Sequence, residues 1–221
     1  MKIEIESNLL KALFQNVYFV NGTACAGKST MVRLLAEKHD GICCGENYHD
    51  EFMELADPTC QPNLCYFKTM SGWQEFVTRS PEEYDAWIVG CAKEATQLEI
   101  IKLIRLSETG KRIFVDTNIS PEILARISDY HHVAMMLSPQ WMSIDQFFNR
   151  PDPEKQFLYR KLLECPDSER AFANYRCCLE KINSQEHYLE FAESGFYCIL
   201  RNEDSTIEKT LCQLEEHFLL I

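Results

Sequence analysis

Val17-Tyr18-Phe19-Val20-Asn21-Gly22-Thr23-Ala24-Cys25-Ala26-Gly27-Lys28-Ser29 is the stretch whose reading decides the fold. Its first four residues are β-branched or aromatic and apolar at every position, and they stop at Asn21-Gly22. That pattern predicts a short strand buried on both faces. Residues 22–29 then follow the spacing G-x-x-x-x-G-K-[ST]. The two glycines allow backbone angles that aim successive N–H groups at one point, and Met31, Leu34 and Leu35 recur at helical spacing just afterwards. Strand, glycine loop and helix N-terminus together form a cradle for phosphate groups.

In such a loop each residue type has a task. The backbone of Gly22, Thr23, Ala24, Cys25, Ala26, Gly27, Lys28, Ser29 and Thr30 is the candidate contact surface for a nucleotide triphosphate, ATP or GTP. Lys28 supplies a cation to the β- and γ-phosphates, and the Ser29 hydroxyl is a candidate Mg²⁺ ligand. Arg112-Ile113-Phe114-Val115-Asp116 is a further buried strand that ends in an acid. Asp116 is the natural second partner of Mg²⁺, acting through water, although a strand-terminal Asp also serves as a helix cap or turn former.

Working outward, Ile42-Cys43-Cys44, His132 through Leu137 and Phe196 through Leu200 predict three more strands. Ser80-Pro81 with Glu83 is a capping box that opens a long helix, with Trp87, Cys91, Ala95, Leu98, Ile101 and residues 104–106 on its buried face and Gly110 past its end. Ser120-Pro121 and Ser138-Pro139 open further helices, and Ser205 with Glu208 caps the last. Five buried strands separated by helices predict a parallel, three-layer α/β fold, read as one domain over residues 1–221. Residues 46–79 are irregular and rich in aromatic side chains, among them Tyr48, Tyr66, Trp73 and Phe76. These either stack on a ring or sugar or pack the small core of an insertion, with Trp73 and Trp87 the candidate pocket walls.

Composition narrows the function. The net charge of −12 argues against a polynucleotide partner, which asks for a basic face. No run approaches the roughly 20 apolar residues that span a bilayer, and the opening residues carry acids and no cleavage pattern, so a cytoplasmic protein is expected. The eleven cysteines are an odd number, contain no Cys-x-x-Cys, and read as reduced thiols used as small apolar side chains. Thr117, not glutamate, follows Asp116, unlike the usual ATPase motor, and no Asn-Lys-x-Asp guanine reader is present. What remains is phosphoryl transfer to a bound acceptor, or nucleotide binding for regulation.

With the loop, the strand-terminal acid and this strand–helix alternation in view, the chain resembles P-loop kinases of the nucleoside monophosphate, shikimate and gluconate kinase type. The resemblance implies a sheet order of 2-3-1-4-5, an acceptor-binding insertion at residues 47–90 and a lid at residues 139–165. The segment from Gly45 to His49 and the one beginning at Ser80 are loosely similar to the acceptor region of gluconate-type kinases. Residues 116–122 are similar to a stretch of a phage polynucleotide 5′-kinase, which keeps a polynucleotide end-kinase as a third reading. The chain lacks the Asp-Gly-Phe-Pro-Arg segment of adenylate-type kinases and the Arg-Asp-Asp pattern of that phage enzyme. In this family the stretch after the second strand handles the acceptor, so Glu46 and Asp50 are the candidate bases, with His49 as a possible orienting group or an incidental loop residue. Arg150, Lys155 and Arg160 are the lid cations, and Arg201-Asn202 falls where these kinases contact adenine or is simply a polar strand end. The implied activity is a Mg²⁺- and ATP-dependent kinase for a small hydroxyl-bearing molecule.

Overall fold

A computed structural model describes residues 5–149, 153–202 and 204–221. Strand β1 (Val17–Gly22) lies at the centre of a five-stranded sheet in which every pair is parallel. It is flanked by β3 (Ile113–Asp116) and β4 (Val133–Leu137), with β2 (Ile42–Cys44) and β5 (Tyr197–Leu200) at the edges. The order 2-3-1-4-5 is the one implied by the resemblance, and the architecture is an α/β fold with helices on both sheet faces.

The period-2 geometry of a strand explains why the central runs are apolar throughout. Val17 and Phe19 point to one face, where they meet α1 (Ser7–Leu13), α5 (Pro81–Ser107), α6 (Pro121–Ile127) and α10 (Gln185–Ala192) through Leu10, Leu103, Leu124 and Phe191. Tyr18 and Val20 point to the other face, packing with α2 (Lys28–Lys38) and α11 (Ile207–His217) through Val32, Leu35 and Leu214. Phe19 and Phe114 are wholly buried, on opposite faces, and burial of each such ring contributes roughly 1.5–3 kcal/mol. All eleven cysteines are free thiols, and Cys44, Cys65, Cys165 and Cys178 are buried.

Helix α5 begins as its capping signal predicts: the Ser80 hydroxyl accepts from Glu83 N, and the Glu83 carboxylate accepts from Ser80 N. Gly110 stands in the turn beyond its end at φ +67°. The buried stripe differs from expectation at one apolar position, since Ile101 is exposed while Thr96 and Glu99 are buried. Two predicted caps are also corrected. Thr206, not Ser205, accepts from Lys209 N at the start of α11. Ser138 caps no helix, because its side chain is drawn to the glycine loop instead.

A third core lies away from the sheet. Within residues 46–79 the chain forms a 3₁₀ turn (Asp50–Leu55) and two short helices, α3 (Tyr66–Thr69) and α4 (Trp73–Val77). The two short helices, with the first turns of α5, pack on α7 (Gln140–Asp145), α8 (Pro153–Leu163) and α9 (Ser168–Ile182). Phe76, Tyr84, Leu162 and Tyr175 form its centre, and the Tyr84 and Tyr175 hydroxyls meet at 3.1 Å. The stretch expected to bind an acceptor and the stretch expected to form a lid thus share one aromatic core. Among the described residues no helix is long and apolar enough to cross a membrane.

At Gly22 the end of β1 leaves no room for a side chain beside β4. A Cβ there would lie 2.0 Å from the Met136 carbonyl oxygen, and φ is +122°. Gly22→Ala is expected to lose about 2–4 kcal/mol of stability, because fixed backbone, not a flexible side chain, blocks the new methyl group. Urea unfolding followed by circular dichroism measures the loss.

Candidate phosphate-binding site

The loop between β1 and α2 is held from outside by its carbonyls. Ala24 O accepts from the Ser138 hydroxyl at 2.5 Å and from the Ser143 hydroxyl at 3.0 Å, and Cys25 O accepts from the Arg201 guanidinium. Thr23 adds a backbone bond to Met136 O at 3.0 Å and accepts from Ser138 N at 2.7 Å. With these carbonyls turned outward, the first amides of α2 (Lys28, Ser29 and Thr30) form its N-terminal end, where no intrahelical acceptor exists and the helix dipole is positive. Gly27 sits just before them at φ +96° and Cys25 at φ +65°, so successive residues alternate in hand, the backbone form whose N–H groups make anion-binding concavities. Asn21 braces the loop from below, donating to Ile119 O and accepting from Gly22 N, each at 2.6 Å.

Inside this loop Lys28 Nζ donates to Gly22 O at 3.2 Å and Thr23 O at 3.1 Å. The Ser29 hydroxyl donates to Asp116 Oδ2 at 2.6 Å. Asp116 is buried, and its other oxygen, Oδ1, has no hydrogen-bond partner among the described residues. A hydroxyl and a carboxylate side by side, one carboxylate oxygen sealed yet unsatisfied, form the hard-oxygen set that suits Mg²⁺ and its water ligands. Burial pushes the Asp116 carboxyl above the usual carboxylate range and the nearby Glu46 charge adds to this, while the Lys28 charge and the Ser29 hydrogen bond oppose it.

One residue absent from the sequence reading stands next to this pair. Glu99 of α5 is 1% exposed, and its Oε2 accepts from Thr117 Oγ1 at 2.6 Å and from the Tyr48 phenol at 2.8 Å. Its Oε1 faces His49 Nδ1 at 3.6 Å. Burial raises the Glu99 carboxyl despite these two donors, and the Asp116 charge adds to the rise. Ala95, Glu99 and Leu103 are all buried and spaced by four, so the visible signal was an acid inside an apolar helical stripe. Ser138, Ser143 and Asn21 carried no comparable signal.

The other predicted residues are distributed unevenly. Glu46 and Asp50 are exposed after β2, with Glu46 near enough to act on Asp116 by its charge. His49, beside them, is buried at 7% exposure. Arg201 reaches the loop backbone, and Asn202 follows it on the surface. Arg160 is exposed on α8, the helix packed against α4, and Lys155 lies 5.7 Å from the Phe147 ring centre. Arg150 lies outside the described residues. Trp73 meets Phe157 edge-on at 4.7 Å inside the aromatic core. Trp87 lines an open cleft of about 540 Å³ with Tyr66, Asn63 and Arg79. The Arg79 guanidinium rests 3.7 Å above the Tyr66 ring. Trp87 precedes Glu99 by twelve residues on the same helix, a rise of roughly 18 Å, so that cleft is remote from Asp116.

No protein-family model and no curated protein matches this chain in sequence. The sheet order and the loop geometry therefore stand by themselves as the likeness to a Rossmann-like or P-loop α/β fold.

Asp116 and Glu99 give the site a stability signature. A carboxyl raised in the folded protein binds its proton more tightly there than in the unfolded chain. Stability therefore falls as pH climbs from 3.8 through the raised Asp116 value, and Glu99 acts with the same sign from 4.5 upward. Asp116→Asn keeps an acceptor for Ser29 and removes the buried charge. It is expected to stabilise the protein at neutral pH by about 0.5–2 kcal/mol, with the gain vanishing near pH 4. Urea midpoints at the two pH values test this.

Proposed function

We propose that the chain is an ATP-dependent phosphotransferase, a kinase that moves a phosphoryl group from ATP to the hydroxyl of a small molecule with the help of Mg²⁺. The observation that carries the reading is the 2.6 Å Ser29–Asp116 pair, with its unsatisfied buried oxygen, beneath a loop whose amides converge beside Lys28. Phosphoryl transfer needs little covalent help from a protein. It needs in-line positioning and compensation of charge on the transferring oxygens.

Each part has a role in that scheme. The amides from Gly22 to Thr30 and the N-terminal end of α2 hold the phosphates. Lys28 exchanges its carbonyl contacts for the β- and γ-phosphate oxygens. Mg²⁺, held by Ser29 and through water by Asp116, would neutralise charge on the same oxygens. Arg201, which bonds the loop at Cys25, would meet the nucleoside as it leaves the phosphate cradle. The choice between ATP and GTP belongs to that side of the site. The acceptor lies against residues 46–50, at the end of the insertion nearest Asp116, and the lobe built on α7 and α8 shelters the reaction from water.

The net charge of −12 supports a small acceptor over a polynucleotide. Lys28→Ala is expected to lower phosphotransfer at least 10²-fold in a protein that still unfolds cooperatively, because the lost cation acts on charge that develops during transfer. Coupled ADP-release assays against nucleosides, sugars, sugar acids and aminoglycosides provide the measurement. Near wild-type turnover in this variant would remove Lys28 from the mechanism. Calorimetry showing that the wild-type protein binds neither ATP nor GTP with Mg²⁺ would remove the reading as a whole.

A further inference from the structure

The geometry points to His49 as the group that takes the proton from the acceptor hydroxyl, with Glu99 as the residue that positions it. The inference rests on the kinase reading and goes beyond it by naming the base and the residue behind it. Four buried side-chain polar atoms lack a hydrogen-bond partner among the described residues, and two of them, His49 Nδ1 and Asp116 Oδ1, belong to this one neighbourhood. They are bridged by Glu99, which bonds Thr117, the residue after Asp116, and faces His49 Nδ1 at 3.6 Å. A shift of roughly 0.6 Å turns that approach into a hydrogen bond, and catalytic hydrogen bonds commonly tighten only when substrate is bound.

The arrangement selects a tautomer. With its proton on Nδ1 directed at the Glu99 carboxylate, His49 presents an unprotonated Nε2. That nitrogen lies on the outward side, 4.0 Å from Oδ1 of Asp50, whose side chain is 69% exposed. The groups facing the ring are Glu99 from α5, with Tyr48 and Asp50 from its own segment, and Asp116 stands behind Thr117. Burial lowers the His49 imidazole below its ordinary value and Asp50 opposes this, so the ring is neutral near pH 7 and able to accept a proton. Glu46 and Asp50 remain exposed carboxylates.

The step balances without an added reactant. The acceptor oxygen forms its bond to the γ-phosphorus as the bond from that phosphorus to the β–γ bridging oxygen breaks, and ADP leaves with that electron pair. The hydroxyl proton passes to His49 Nε2. The resulting imidazolium lies between the carboxylates of Glu99 and Asp50, and it returns its proton to solvent on the Asp50 side.

Water can serve as the acceptor probe, so the test uses the full-length protein, Mg²⁺ and ATP, and reads phosphate release alongside ATP affinity by calorimetry. His49→Gln is expected to slow release about 10²-fold or more with ATP affinity held within about twofold. Glu99→Gln keeps an acceptor for Thr117 and Tyr48 but presents an amide N–H to Nδ1, which reverses the tautomer. A comparable loss of rate is expected, with no loss of folding stability. This variant also keeps the proposal testable should His49→Gln not fold. Wild-type rates in His49→Gln, or full loss in Glu46→Gln with His49→Gln unaffected, would overturn the assignment of His49 and leave the kinase reading in place. A wild-type protein that does not bind Mg²⁺ and ATP overturns both. Binding without turnover, on water or on glycerol, gluconate and adenosine, also overturns both.

Discussion

The approach of Gly22 to the Met136 carbonyl is the constraint on which the rest of the molecule depends. β1 is the central strand, bonded to β3 on one side and β4 on the other, and it must end in a turn tight enough to start α2 six residues later. A side chain at Gly22 would occupy the space of the β4 backbone. Because none is there, the loop can bend over the sheet edge, and Thr23 continues the hydrogen bonding to Met136. Ser138, Ser143 and Arg201 then take the outward carbonyls, so the direction of the amides is settled by neighbours from two other crossings of the sheet.

Polar groups gather at the same edge at a cost in stability. Asp116, Glu99, His49 and Asn21 are all buried at the carboxyl ends of the strands, and burial alone disfavours the charged forms of the first three. Three of the four are partly compensated: Asp116 by Ser29, Glu99 by Thr117 and Tyr48, and Asn21 by Ile119 and Gly22. Compensation stops at Asp116 Oδ1 and His49 Nδ1. A core optimised for stability alone would carry apolar side chains here, and these two unpaired atoms are the feature on which the proposed function draws.

The aromatic lobe changes the meaning of two segments that look separate along the chain. Residues 66–88, 144–148 and 158–182 interdigitate around Phe76, Tyr84 and Tyr175, while α7 of the same lobe reaches the glycine loop through Ser143. A displacement of the lobe would thus move both residues 66–88 and the Ala24 anchor. Trp73 and Trp87 belong largely to this packing, which is why aromatic content alone could not separate a ligand wall from a core.

The sequence by itself determined the features that are encoded in consecutive residues: the five strands, the glycine loop, the capping box at Ser80 and the acid at the end of β3. Each depends on local backbone preference or on a short hydrophobic period, and these survive without knowledge of the partner. The tertiary structure alone decided the pairing of Glu99 with Thr117 and Tyr48, 18 and 51 residues away, and the diversion of Ser138 from a helix cap to the loop. It also decided which side of α5 faces the core, exposing Ile101 and burying Glu99. Side chains brought together from distant elements leave no periodic trace in the chain, because the fold places them by packing and not by the propensities of their neighbours.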